Sequence, residues 1–268
     1  MAEATIASSR PLLRERNIIL GSLLALAAAA WGVLIWQSAT TEGDMSLTMG
    51  MSPPLWIALW IAMMVAIMFP TAAPMILMFA RVHAKRQERG QPFVPTWVFA
   101  SSYLLLWSFA GVVAYSLAVG GDEIADQSMW VMDNAARFGG VVLVAAGVYQ
   151  LSPLKYVCLN KCRTPISFIL NSWRDGRRGS FVMGLEHGVY CLGCCWLLFL
   201  ILFPLGMMNI AILALVTLLI FAEKSLPVGR WAAFAAAVVL IGYGVLVVFV
   251  PEALPMAMND GLRASSAM

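Results

Sequence analysis

The apolar residues of this chain come in long unbroken runs separated by short polar segments that carry most of the charge. The runs show no two-residue alternation and far exceed the ~10 residues of a membrane strand, so a barrel is excluded. A helix needs about 20 apolar residues to cross roughly 30 Å of hydrocarbon. Seven spans are expected on that basis: Ile18 to Gln37, Leu55 to Phe79, Thr96 to Val119, Phe138 to Tyr156, Phe181 to Pro204, Ile210 to Phe221 and Trp231 to Val250. The expected fold class is all-α, a polytopic transmembrane helical bundle. It would have a cytoplasmic tail over residues 1–17, one helical membrane domain over 18–250 and an outer tail over 251–268. The first span is read as a mature helix, because its apolar run is long for a secretion signal and no small-x-small cleavage site ends it. Pro70 and Pro74 fall inside the second span, where each removes a backbone donor and promotes a kink.

Composition agrees with the pattern. The 268 residues are 61% hydrophobic and 12% charged, with a mean hydropathy of +0.83, about half the charge of a soluble domain. A water-soluble globule is excluded. The net charge of +3 does not imply nucleic acid, because the basic residues sort by membrane side and form no patch. With the N-terminus inside, all basic residues except Arg137 and Arg263 fall in cytoplasmic segments, Lys155 and Lys224 among them. Glu42, Asp44, Asp122, Glu123, Asp126, Asp133, Glu252 and Asp260 fall outside. Seven spans then leave the C-terminus outside.

Candidate chemistry gathers in Met183-Gly184-Leu185-Glu186-His187-Gly188-Val189-Tyr190-Cys191-Leu192-Gly193-Cys194-Cys195-Trp196, within the fifth span. With Met183 at zero on an ideal helix, Cys194, His187, Cys191 and Cys195 lie near about 20°, 40°, 80° and 120°. One face thus carries two kinds of soft metal ligand, and neighbours one turn apart can close on one ion if another helix completes the shell. Free cysteine is also at home as a small apolar residue. Three of five cysteines within five positions, beside an embedded Glu-His pair, favour metal or redox chemistry. Gly184 and Gly188 have the Gly-x-x-x-Gly spacing that lets a second helix approach.

Methionine placement extends the argument. Met64, Met68, Thr71, Met75 and Met78 share about 80° of arc in the second span. Nine of the 17 methionines fall at or beyond the expected outer surface: Met45, Met49, Met51, Met129, Met132, Met207, Met208, Met256 and Met258. Thioethers bind Cu(I) without forming disulfides in an oxidising compartment, whereas thiolates suit a reducing one. Cys158 and Cys162 form a Cys-x-x-x-Cys pair in the basic inner loop, where positive charge favours thiolate. His83 is read as a solvated loop residue. The odd cysteine count argues against structural disulfides, and soft ligands argue against magnesium or calcium. Zinc on Cys and His stays open. The chain has no His-Glu-x-x-His, phosphate loop, nucleophile elbow or haem attachment motif, so no catalytic residues are assigned.

On these residues the sequence resembles a bacterial family described as predicted metal-binding integral membrane proteins, some of whose members carry the label copper chaperone. The likeness rests on Met63-Met64-x-x-x-Met68-x-Pro70-x-x-x-Pro74-Met75, on Cys158 to Arg163 and on Gly184-x-x-His187-Gly188-x-Tyr190-Cys191-x-Gly193-Cys194-Cys195-Trp196. It extends to Met208-Asn209 and Ala222-Glu223-Lys224, covering Leu55 to Pro227. The resemblance implies metal binding in the bacterial inner membrane, with His187 and the three clustered cysteines as ligands.

Three functions are weighed. The first is Cu(I) handling, with His187, Cys191, Cys194, Cys195, Met183, Met64, Met68, Met75, Cys158 and Cys162 as the metal-site candidates and a copper protein or membrane complex as client. The second is a membrane thiol-disulfide oxidoreductase using Cys191 and Cys194. The third is an assembly subunit whose sulfur residues only pack between helices.

Overall fold

The computed structural model describes residues 2–40 and 46–254, with side chains from Arg14 onward. Met45, Met256 and Met258 lie outside the described residues, as do the acidic Glu42, Asp44 and Asp260, and Arg263. Among the described residues every regular element is helical: α1 Ala2–Thr40, α2 Pro53–Gln87, α3 Thr96–Gln127, α4 Met129–Asp133, α5 Ala135–Gln150, α6 Pro153–Arg163, α7 Pro165–Ser172, α8 Gly176–Leu200, α9 Leu202–Leu205, α10 Ile210–Ser225 and α11 Gly229–Phe249, then a 3-10 turn at Pro251–Ala253. Five are long and apolar enough to cross a membrane: α1 from Arg14, α2, α3, α8 continued through α9, and α11. The bent pair α5 and α6 makes a sixth if counted as one broken span.

The helices depart from the expected spans at the fourth and sixth members. Phe138 to Tyr156 is not one helix, because Ser152 Oγ accepts from Lys155 N at 3.1 Å and starts a new helix with Pro153 in its first turn. Proline cannot donate back to α5, and the two axes meet at 63°. The span from Ile210 does form α10, capped by Asn209 Oδ1, which accepts from Ala211 N and Ile212 N at 3.1 and 3.2 Å. Its 16 residues rise only about 24 Å, short of the hydrocarbon core.

Small residues set the closest helix contacts, as expected where lipid removes the hydrophobic drive between helices. In the α5–α11 pair, a Cβ on Gly140 would lie 2.9 Å from Gly244 O, and one on Gly244 would lie 2.7 Å from Gly140 O. In the α3–α8 pair, Gly184 lies so close to Phe99 O and Ser102 Oγ that a side chain there would strike both. The helix α2 is buried around much of its circumference, including Met63, Met64, Met68 and Met75, as expected of a helix that is apolar on every face. Pro70 and Pro74 do not end it. The α2 helix also continues past the expected boundary to Gln87, which corrects the reading of His83: the residue is helical and buried, with the tilted rings of Phe79 and Trp173 packed against its own. Lys155 and Lys224, assigned to cytoplasmic segments, are also buried, at 1% and 9% exposed.

A candidate metal centre

The face expected on the fifth span is present on α8: Met183, His187, Cys191, Cys194 and Cys195 are all buried. Helical spacing alone makes that stripe, and four other helices decide what it meets. From α2, Met68 brings its Sδ to 3.8 Å from Cys191 Sγ. Thr71 holds that part of α2, donating to Met68 O at 3.1 Å while its hydroxyl lies 3.8 Å from Met68 Sδ. From α6, Cys162 Sγ reaches 4.0 Å from Cys194 Sγ. Cys194 and Cys195 are adjacent, with sulfurs 3.2 Å apart. From α10, Lys224 points its ammonium into the group, donating to Cys191 Sγ at 3.0 Å and approaching Met68 Sδ at 3.7 Å. Tyr103 of α3 completes the surround, its hydroxyl 3.0 Å from Cys191 Sγ.

Five sulfurs from three helices therefore converge on one region that holds a cation. Two metal–sulfur bonds of about 2.3 Å spanning the 4.0 Å between Cys162 and Cys194 would open an angle of roughly 120°, which suits a soft ion shared between thiolates. The donor set fits Cu(I) better than a hard cation. Among the described residues, no group of three or more His, Cys, Asp or Glu takes up a metal-holding arrangement. The four thiols of the cluster are therefore not closed around an ion as they stand, and the ammonium of Lys224 lies among them.

The remaining candidates are distributed around this core. His187 is wrapped by the rings of Phe99, Tyr103 and Phe168, with centroids 5.9, 5.4 and 5.5 Å away, and its buried Nδ1 has no hydrogen-bond partner. Met183 accepts from Arg174 N at 3.4 Å through its sulfur, so it serves the turn before α8. Met64 and Met75 are buried on α2 on either side of Met68. Cys158 packs against Gly193, where a Cβ would lie 2.8 Å from its sulfur. Glu186 accepts from Ser172 Oγ at 2.8 Å and lies 4.0 Å from Arg174.

Aromatic side chains pack together nearer the start of α2. Trp56 and Trp60 stack at 5.4 Å, and Phe199 of α8 bridges Trp60 and Trp107 at 6.2 and 5.1 Å. Beyond them Leu47 N, Thr48 N and Thr48 Oγ1 all donate to Asp122 of α3, tying down the segment that carries Met49 and Met51.

Sequence reasoning missed Lys224, Tyr103 and a second buried group beside the cluster. There Glu223 of α10 accepts from Lys155 Nζ at 2.7 Å and from Gln150 Nε2 at 2.9 Å, and Lys155 also donates to Gln150 Oε1. A usable signal was the adjacent Glu223-Lys224 pair ending an apolar run of 13 residues that carries no other charge. Ionisable groups so placed are functional candidates by default.

Residues 57–247 match the model of the family PpoB2, described as copper chaperone, and the chain belongs to that family. No curated protein and no solved structure matches it.

Proposed function

We propose that this copper-chaperone family member is a membrane-embedded Cu(I)-handling protein whose binding site is the cluster of Met68, Cys162, Cys191, Cys194 and Cys195. The observation that carries this reading is the convergence of those sulfurs, from α2, α6 and α8, around a buried cation. Copper is the cargo. Thioethers and thiolates hold the monovalent ion by softness, and a site without carboxylates gives hard cations no purchase. Cu(I) on His187 would need the imidazole to turn out of its ring cage, which makes His187 an accessory to the sulfurs.

In this reading Met49 and Met51 sit on the outer side, and a copper protein or membrane complex is the client. Zinc is the competing ion, because cysteine and histidine also serve it. The bilayer is the bacterial inner membrane, with the N-terminus inside and the C-terminus outside. Support comes from the five long apolar helices and from Arg81, Lys85, Arg86 and Arg89 at or just beyond the end of α2. Seven crossings are kept if α5 and α10, each of 16 residues, cross where the bilayer thins around them.

The test is metal content. Wild type and a Cys191→Ser, Cys194→Ser variant are purified in mild detergent under reducing conditions, loaded with copper or zinc, and quantified by mass spectrometry. Stoichiometric copper in the wild type, lost in the variant while it still inserts, is expected. No metal in either overturns the proposal. A thiol-exchange enzyme would instead use Cys162 and Cys194, whose sulfurs face each other across two helices, whereas Cys191 is engaged by Tyr103 and Lys224. A reversible disulfide forming with no metal requirement would favour that activity.

A further inference from the structure

We propose that Lys224 is a tethered cation that holds the sulfur cluster in place of Cu(I) and exchanges with the incoming ion, thereby setting the affinity of the site. This rests on the metal-handling reading. Its own support is the unusual company of the ammonium. Lys224 is 9% exposed, and its ammonium donates to Cys191 Sγ at 3.0 Å and to Met68 Sδ at 3.7 Å. The neighbouring carboxylate is committed elsewhere, since Glu223 binds Lys155 and Gln150. A buried ammonium ordinarily finds oxygen acceptors, and this one finds the donors that a soft metal ion would use.

Exchange is physically economical. Cu(I) and an ammonium carry the same charge, so an ion that enters as the ammonium leaves for water keeps the charge of the buried region unchanged and avoids the penalty of an unpaired ion. A divalent ion would leave an excess positive charge that the cluster has no carboxylate to absorb. The flexible four-carbon stem lets the lysine head move several ångströms with its helix fixed. Lys224 also lies in the last turn of α10, where the terminal carbonyls favour a cation. Lysine in the site acts as a competing state, so the apparent affinity for metal falls by the fraction of time the lysine is in place.

The experiment uses the full chain in detergent with Ag(I), a redox-inert monovalent soft ion, and an amine-acylating reagent read out by mass spectrometry. Lys224 is expected to be protected in the metal-free protein and to react once Ag(I) is bound. Lys155, still paired with Glu223, stays protected in both states. Lys224→Leu removes the competitor without adding a ligand and is expected to bind Ag(I) at least about tenfold more tightly. Ag(I) bound with Lys224 still protected, or a Lys224→Leu variant that folds and binds no more tightly, overturns the proposal while leaving the metal site standing. Failure of the wild type to bind Ag(I) overturns both. If Lys224→Leu does not fold, the labelling of the wild type decides.

Discussion

Two buried lysines from different helices end in opposite chemical settings. Lys155 meets a carboxylate and an amide, and each atom of that trio has an oxygen or nitrogen partner. Lys224 meets a thiol and a thioether. The first arrangement resembles a structural clasp: hard donors and acceptors, saturated, joining the bend after α5 to α10. The second puts a hard cation among soft, polarisable acceptors that could be served better by a metal. The difference teaches that burial of charge does not by itself mark a functional site. A mismatch between the charge and the chemistry of its surroundings is the more informative sign.

The comparison breaks most visibly at the clasp. Glu223→Gln strands the Lys155 ammonium and is expected to cost about 3–5 kcal/mol, read as a lowered unfolding midpoint in mixed detergent micelles. Replacing both partners, Lys155→Met with Glu223→Leu, is expected to recover that loss, because neither charge is then left alone. A double variant as unstable as Glu223→Gln would mean that the pair does more than hold helices together. Next in size is the frame of the sulfur side. Gly184→Ala forces α8 away from Phe99 and Ser102 of α3, at about 1–3 kcal/mol, and is expected to lower Ag(I) affinity by displacing Tyr103 from Cys191. Unchanged affinity would detach Tyr103 from the site. The smallest effect separates the two α6 cysteines. Cys158→Ser is expected to change stability by no more than about 0.5 kcal/mol and to leave copper content intact, whereas Cys162→Ser lowers it. Equal metal loss in both variants would move the site toward Gly193.

Much of this was legible in the sequence. The stripe from Met183 to Cys195 follows from helical period alone, and all its candidate ligands are buried. Met68 was identified with its methionine neighbours, although spacing could not show that it would be the one to touch Cys191. Lys224 and Lys155 were misread for a definite reason: a charge-sorting argument treats every basic residue as a loop residue, and two that fold back into the bundle look the same as those that stay in water. The bend at Ser152 was written in the chain too, as a serine followed by a proline, yet the apolar run on either side outweighed it. Tyr103 was not legible, because its role depends on Gly184 bringing α3 against α8 at Ser102, a contact between positions 82 residues apart.

The packed rings of Trp56, Trp60 and Phe199, with those around His187, carry a consequence for time. Cys191, Cys194 and Cys195 are buried while Cys162 is part-exposed, so the inner sulfurs cannot be reached at the pace of diffusional encounter. An ion or thiol reagent must wait for the packing around them to part, a local opening that recurs at its own frequency however much reagent stands outside. Loading should therefore saturate: the observed rate climbs with concentration and then levels at the opening frequency. Loosening the aromatic packing at Trp60 would raise that ceiling without changing how tightly the cargo is finally held.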